Sequence, residues 1–461
     1  MLFPSVTFAG FFVVVYFVHL LLAGRTRLWK LAMLAASFTF YGWWDWRFCA
    51  LIAASIMANW ALGAAVAATT GRRSRPWVAL AVLANLAVLG GFKYYGFFIE
   101  AVSASLGSTL GLPVLDLALP VGISFFTFQA LSYVVDLHRR TLEPRPLLDF
   151  AVYLSFFPQL VAGPIVRASE FLPQLDRPRD AVDVNEAAWL IGRGLFKKMV
   201  VASYLAQEVV DPVFASPATA DRIELLLAFY GYAIQIYADF SGYTDIAIGI
   251  ALLLGFRFPS NFDQPYRARS IQDFWHRWHQ TLSRWLRDYL YVPLGGNRIS
   301  ELATYRNLLA TMVLGGLWHG AAWTFVIWGA IHGLALCAGR LAERAPERWR
   351  IRPGPVLGWL VTFHVVCVAW VLFRAPTFET AWSVLVGLVT APIGSSVNVA
   401  AALLIAAALA LQLAPTTPAA RLRALIGRVD PAVHSAAVGV WIALVAGLGP
   451  DGVDPFIYFQ F

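Results

Sequence analysis

Charge is what this chain has least of. Only 13% of its 461 residues are Asp, Glu, Lys or Arg, against 59% hydrophobic, whereas soluble domains are about one-quarter charged. A water-soluble core cannot absorb that much apolar sequence, so most of it must face lipid or other membrane helices. Cysteine is scarce too. Cys49, Cys337 and Cys367 lie in or beside apolar runs, without the spacing of a metal site or a redox pair, and read as packed thiols. There is no low-complexity tract, no convincing repeat and no linker long enough to separate domains. Residues 1–461 therefore read as one integral-membrane domain. The net charge of +8 resides in short loops and gives no sign of nucleic-acid binding.

What is present is a succession of apolar runs. A helix needs ~20 residues to cross about 30 Å of hydrocarbon. Spans are expected near 3–24, 31–42, 48–68, 77–99, 117–137, 187–209, 223–238, 240–256, 321–339, 356–373, 397–414 and 434–450. Shorter, broken or amphipathic pieces lie near 149–165, 271–290, 305–318 and 381–393. The expected class is an all-α polytopic membrane protein. The first run has no basic n-region and no small-residue cleavage site, so it reads as a retained helix. Basic residues gather at Arg25, Arg27 and Lys30, at Arg72, Arg73 and Arg75, and at His138, Arg139 and Arg140. Further sets are Arg340, Arg344, Arg348, Arg350 and Arg352, then Arg421, Arg423 and Arg428. The positive-inside rule puts these loops in the cytoplasm, the aromatic turn at 42–46 at the opposite interface, and both termini outside.

Two segments leave alternatives open. The run 150–166 contains Pro158 and Pro164, which would break a simple spanning helix. It is either re-entrant, with its freed backbone groups satisfied by protein or water, or an amphipathic helix on the surface. Asp239 and Asp245 lie between apolar runs, either in an extracytoplasmic hairpin turn or buried in a tilted helix pair.

The run 311–333 has no Lys, Arg, Asp or Glu but holds His319 beside Trp318. An ionisable group at bilayer depth is costly and usually faces protein or a water-filled cavity. Histidine can also take and return a proton near neutral pH, so His319 is a catalytic candidate. The plainer reading is a core histidine bonded to a backbone carbonyl, which also suits His332 and His364. For His319, the adjacent Gly315, Gly316 and Gly320 favour close approach of backbone or substrate.

Residues 271–290 place Phe274, Trp278, Leu282, Trp285 and Tyr289 at three- and four-residue spacing, one apolar stripe of a helix. His276, His279, Gln280, Ser283 and Arg287 fall on its polar side. Periodicity alone favours an interfacial anchor with snorkelling arginines. His276 and His279 could face one ion, but a zinc site needs about three or four ligands and no third is suggested. No metal is expected. A tight turn, marked by its Pro, Gly and Asn content, follows at 291–298.

Several stretches together resemble the membrane-bound O-acyltransferase family, in its bacterial alginate O-acetylation branch. They are Phe274-Trp275-His276-Arg277-Trp278-His279, Ser283-Arg284-Trp285-Leu286-Arg287-Asp288-Tyr289-Leu290, Pro293-Leu294-Gly295-Gly296-Asn297-Arg298 and Leu314 through Gly320. Supporting stretches lie at 40–45, 120–125, 157–164, 237–245 and 370–374. The likeness covers about 38–376, and the C-terminal helices of about 377–461 match weakly. It implies a ring of tilted helices, with re-entrant or interfacial pieces, around a thin central catalytic region. It also implies two functional histidines, carried by His319 (the essential one, in Trp-His-Gly) and His279. His276 stands where arginine or another polar residue is expected.

The implied reaction is acetyl transfer from a cytoplasmic thioester, acetyl-CoA or an acyl carrier protein, with no bound cofactor. The acyl group would pass across a bacterial inner membrane towards an exopolysaccharide or a periplasmic acetyltransferase. His319 would act as general base or transient relay, and His279 would orient or stabilise developing charge. Trp318, Arg284, Arg287 and Arg298 are candidates for holding the donor, since arginine forks suit phosphate; plain positive-inside anchoring explains the arginines equally. Competing readings are D-alanyl or other acyl transfer to a cell-wall polymer, a transporter, and an assembly subunit.

Overall fold

The long apolar runs have no lower-energy choice in lipid than helices, whose backbone hydrogen bonds close internally. A computed structural model describes residues 1–106, 118–161, 163–177, 182–347, 354–394, 397–415 and 430–448, and among them every regular element is helical. Arg348, Arg350, Arg352, Arg421, Arg423 and Arg428, with the expected span ends at 117 and 449–450, lie outside the described residues. Five described helices are long and apolar enough to cross a membrane: Arg47–Ala68, Gly71–Lys93, Arg222–Leu253, Trp323–Arg344 and Pro355–Arg374. The chain divides into two compact units, Met1–Ala187 with Ala247–Pro259, and Ala188–Ile246 with Ser260–Phe461.

The first unit contains α1 (Val6–Leu22), α2 (Thr26–Gly42), α3 (Arg47–Ala68), α4 (Arg75–Lys93), α5 (Tyr95–Leu106), α6 (Ile123–His138), α7 (Leu147–Ser155), α8 (Phe157–Leu160) and α9 (Ala168–Leu175). The open question at 150–166 is resolved here. The run breaks at Phe156, where Pro158 in the first turn of α8 prevents continuation, and residues 150–161 are all buried. The backbone N–H that the break frees on Phe157 donates to the Ser37 hydroxyl (3.2 Å), and the Gln159 amide donates to the Tyr153 carbonyl (2.6 Å). A surface-lying helix would leave one face exposed, and none is. Lys30 pairs with Asp149 (2.6 Å), both nearly buried.

The second unit opens with α10 (Val184–Leu195), α11 (Ser203–Leu205) and α12 (Asp211–Ala215), separated by wide π turns at Phe196–Ala202 and Ala206–Val210. Next comes α13 (Arg222–Leu253), a single 32-residue helix where two spans joined by a turn were a live expectation. No turn is needed, because the carboxylates in mid-helix are neutralised in place. Asp245 accepts from Arg193 (2.5 and 2.9 Å) and Lys197 (2.8 Å), and Asp239 pairs with Lys198. The remaining helices are α14 (Ile271–Arg277), α15 (Gln280–Leu286), α16 (Glu301–His319), α17 (Trp323–Arg344), α18 (Pro355–Arg374), α19 (Phe378–Thr390), α20 (Val399–Leu413) and α21 (Pro431–Leu448). The piece expected near 305–318 is the greater part of α16.

Helices α16 and α17 cross at van der Waals distance because glycine lines the crossing. A Cβ on Gly316 would lie 2.2 Å from the Phe325 carbonyl oxygen, and one on Gly329 would lie 2.4 Å from that of Met312. Small residues that let backbones approach are the common solution where lipid removes the hydrophobic drive between helices.

Candidate active site

The interfacial stripe folds differently from one continuous helix. The chain leaves α14 at Trp278 in extended conformation, turns through His279 in the left-handed region (φ 41, ψ 55), and restarts as α15. A non-glycine residue there is uncommon and costs about 1–3 kcal/mol unless its surroundings over-determine it. Here a neighbouring segment does so. Asp263 N–H donates to the Arg277 carbonyl (3.0 Å) and Gln280 N–H to the Asn261 carbonyl (3.0 Å), one bond on each side of the bend. The turn moves His279 from the expected polar face into full burial, edge-on to Phe240 at 4.7 Å.

The protonation of this imidazole follows from the donors around Asn261. The Thr281 backbone N–H (3.2 Å) and hydroxyl (2.8 Å) both point at Asn261 Oδ1. A main-chain N–H can only donate, so the amide oxygen faces this side. His279 Nδ1 lies 3.0 Å from the same oxygen and must therefore carry its hydrogen. The second nitrogen, Nε2, is then the basic one. It is buried and has no hydrogen-bond partner among the described residues. Burial pushes the imidazole down to about 3, so the ring is neutral at any physiological pH.

His319 closes α16. Its ring is 3% exposed and sits edge-on to Trp318 (4.9 Å), Trp328 (5.1 Å) and Phe373 (5.2 Å). The Trp318 indole is near both histidines, 4.9 Å from His319 and 6.2 Å from His279. The groups that approach the neighbouring glycines are protein: the Phe325 carbonyl at Gly316 and the Phe325 ring at Gly320.

A cavity of about 460 Å³ opens among α14, α15 and α16, and neither His279 nor His319 lines it. Its walls include Trp275 and His276 from α14, Gln280, Ser283 and Arg284 from α15, and Thr311 and Met312 from α16. A π turn at Arg287–Tyr291 brings Arg287 and Tyr291 to the same wall. Arg287 grips Asp288 with two nitrogens (2.6 and 3.1 Å). Arg298 is exposed on the following turn and does not line the cavity, and Trp318 is buried away from it. Asn307 fastens that turn by donating to the Leu294 and Gly296 carbonyls (3.1 and 3.0 Å). The other histidines divide. His364 Nδ1 bonds the Leu360 carbonyl (2.8 Å), whereas His332 is fully buried against Phe274 and Trp275 with neither ring nitrogen hydrogen-bonded among the described residues.

A model of the membrane-bound O-acyltransferase family matches residues 104–378. The chain belongs to that family: it is an O-acyltransferase and a multi-pass membrane protein. It is 42% identical over 374 residues to "Probable alginate O-acetylase" of Azotobacter vinelandii, spanning 79% of this chain and 74% of the relative. It is 39% identical to the peptidoglycan O-acetyltransferase of Helicobacter pylori, over 81% of this chain and 76% of the relative. The teichoic acid D-alanyltransferase of Bacillus subtilis is 28% identical over 56% of this chain and 69% of its own.

Asn261 and Thr281 were missed in the sequence. Asn261 lies in a polar loop bounded by Pro259 and Pro265, and nothing local to it points to a histidine 18 residues on. The two prolines were the only available signal that this loop is a fixed element.

Proposed function

We propose that this protein carries an acetyl group from a cytoplasmic thioester, acetyl-CoA or an acyl carrier protein, to a hydroxyl of a cell-surface polysaccharide. It would do so in the cytoplasmic membrane of a bacterium, as one integral-membrane catalytic domain. The observation that carries this reading is the pair of buried imidazoles that both contact Trp318; a separate cavity with two arginines in its wall, formed by the same helices, supports it. His319 takes the proton of the attacking hydroxyl. The oxygen forms its bond to the thioester carbonyl carbon, the carbon–sulfur bond breaks, and the departing thiolate takes the proton back from His319 as a thiol. Positioned acid–base catalysis contributes ~10²–10⁴-fold, and holding donor and acceptor together supplies much of the rest.

His279 has a narrower task in this scheme than charge stabilisation. With hydrogen on Nδ1, its Nε2 accepts and cannot donate, which suits holding a neighbouring hydroxyl of the acceptor sugar, while the attacking hydroxyl gives its one proton to His319; it does not suit an oxyanion. Arg284 and Arg287 would hold a phosphate of CoA or phosphopantetheine, as arginine forks do; their position in the cavity wall supports this, and Arg287 would first have to exchange its Asp288 partner for the phosphate. Acetyl is favoured over D-alanyl because the O-acetylating relatives stand at 39–42% identity and the D-alanyl one at 28%. The polymer could be alginate-like, and delivery could run through a periplasmic acetyltransferase. The decisive experiment replaces His319 with Ala, verifies membrane expression, and measures O-acetyl content of the secreted polysaccharide by NMR. Loss of acetylation is expected, and normal acetylation would overturn the assignment. Membranes holding the protein should also deacylate radiolabelled acetyl-CoA in a His319-dependent way if CoA is the donor.

A further inference from the structure

Away from the histidines, the second unit holds another basic cavity, of about 560 Å³. Arg267, Arg269 and Arg277 line one side, and Pro355, Val356 and Trp359 of α18 with Leu413 of α20 line the other. Arg277 is already neutralised by Asp273 (2.7 Å) and Asp263 (3.0 Å). Arg267 and Arg269 pair with no carboxylate among the described residues, and Arg267 is instead steadied by the Gln264 side-chain oxygen (2.8 Å). Asp273 also lines the cavity, so its three arginines face two carboxylates and it keeps a net charge of +1, with the Arg267 and Arg269 side chains in no ion pair among the described residues. It also receives the first turn of a 20-residue helix, whose cap residue Gly354 has no side chain to satisfy the leading N–H groups, a place that favours anions.

The backbone around these arginines is fastened. Trp359 donates its indole N–H to the Tyr266 carbonyl (2.8 Å), and Gln264 donates to the Leu411 and Ala414 carbonyls (3.0 and 2.9 Å). The Arg269 carbonyl lies 2.9 Å from where a Cβ on Gly358 would stand. The arginine-bearing segment is thus packed directly on the start of α18. The polar cavity then runs onto an apolar surface, with Val356 68% and Leu413 44% exposed, followed along α18 by Leu360 and Val361.

We propose that this cavity is a binding site for the phosphate of an anionic phospholipid, with its acyl chains lying along the exposed face of α18. A free phosphate has the same head chemistry but no use for the apolar continuation, and that continuation selects the lipid. The positive-inside reading places the start of α18 at the cytoplasmic face, where anionic headgroups and basic pockets between helices meet. The site shares no wall residue with the cavity of α14–α16 and does not depend on the proposed reaction.

The test uses the full-length protein in neutral detergent, analysed by native mass spectrometry with short-chain phosphatidylglycerol, phosphatidylcholine or inorganic phosphate. Wild type is expected to retain one phosphatidylglycerol in preference to phosphatidylcholine. Arg267→Gln with Arg269→Gln should weaken that binding about 30-fold, as loss of two arginine contacts at a charged surface implies. Arg72→Gln, an exposed arginine far along the sequence, should leave it unchanged. Val356→Glu, which keeps both arginines and spoils the apolar strip, should weaken lipid binding while sparing inorganic phosphate. Equal retention in the double variant, or no preference over phosphatidylcholine, overturns the site. Displacement of the lipid by millimolar inorganic phosphate, with Val356→Glu indistinguishable from wild type, overturns the lipid as its occupant.

Discussion

Replacing Asn261 with Ala tests the central geometric inference, that one amide oxygen fixes which nitrogen of His279 is basic. Three donors converge on that oxygen: His279 Nδ1–H, the Thr281 backbone N–H and the Thr281 hydroxyl. The hydroxyl can turn elsewhere, but the other two are left buried without an acceptor. At about 1–3 kcal/mol for each orphaned buried donor, the fold loses about 2–6 kcal/mol. The chemical effect is separate from this. Without the oxygen the hydrogen is free to move to Nε2, that nitrogen ceases to be a reliable acceptor, and under the proposed role of His279 turnover should fall about 10²–10⁴-fold. Asn261→Asp discriminates between the two effects. It keeps an acceptor for every donor and sets a carboxylate beside the imidazole, which favours the protonated ring. In the wild type burial holds His279 down to about 3, so this group gives no loss of activity between about pH 5 and 8. In the Asp variant its proton affinity rises, and an acid limb should enter that window, with activity restored as the pH is raised. The assay is thioester turnover by purified protein from pH 5 to 9, normalised to the folded fraction from fluorescence-detected size exclusion. Wild-type turnover per folded molecule in Asn261→Ala, together with an unshifted pH profile in Asn261→Asp, would refute the tautomer argument.

Three further outcomes are expected. Arg284→Ala and Arg287→Ala should each raise KM for the thioester donor about tenfold, the worth of one charge-assisted contact, with a smaller change in kcat. Arg298→Ala, outside the cavity, should leave KM as it was. Lys198→Met removes the cation paired with buried Asp239, and should cost about 3–5 kcal/mol of stability; the thermal midpoint should recover when Asp239→Leu is added. Gly316→Ala pushes a methyl against the Phe325 carbonyl, and overpacking of about 1–3 kcal/mol should lower the midpoint while Gly339→Ala, with open space around it, should not.

The hydrophobic runs reveal helices because lipid imposes one rule on all of them, and the ends of α3 and α18 fall within a residue or two of expectation. The departures occur where distant groups decide. Whether Asp239 and Asp245 require a turn depends on Arg193, Lys197 and Lys198, more than 40 residues away. The break at His279 is set by Asn261 and Asp263 from another segment, and no proline or glycine marks it. The apolar stripe of 271–290 identifies which side packs, since Phe274, Trp278, Leu282 and Trp285 are all buried. It could not indicate that the histidine packs with them. Arg284 and Arg287 were singled out by their type and by the resemblance, and both do line a cavity, whose existence depends on α16 and α17 and is invisible in the local sequence.

The left-handed bend at residue 279 also makes this position open to chemical complementation. Its curvature is held from outside, by the bonds on either side of it, so the bend does not rely on the imidazole. Glycine is the residue most at ease with that backbone. Substituting it there would leave the loop in place and a vacant space the size of the lost ring, walled by Phe240 and floored by the Asn261 oxygen. Free imidazole has the shape of the lost ring and carries the same N–H for the same oxygen. If His279 acts in the reaction as proposed, imidazole should restore a His279→Gly enzyme, and the maximal rate recovered would measure how much of the histidine's role is its ring alone.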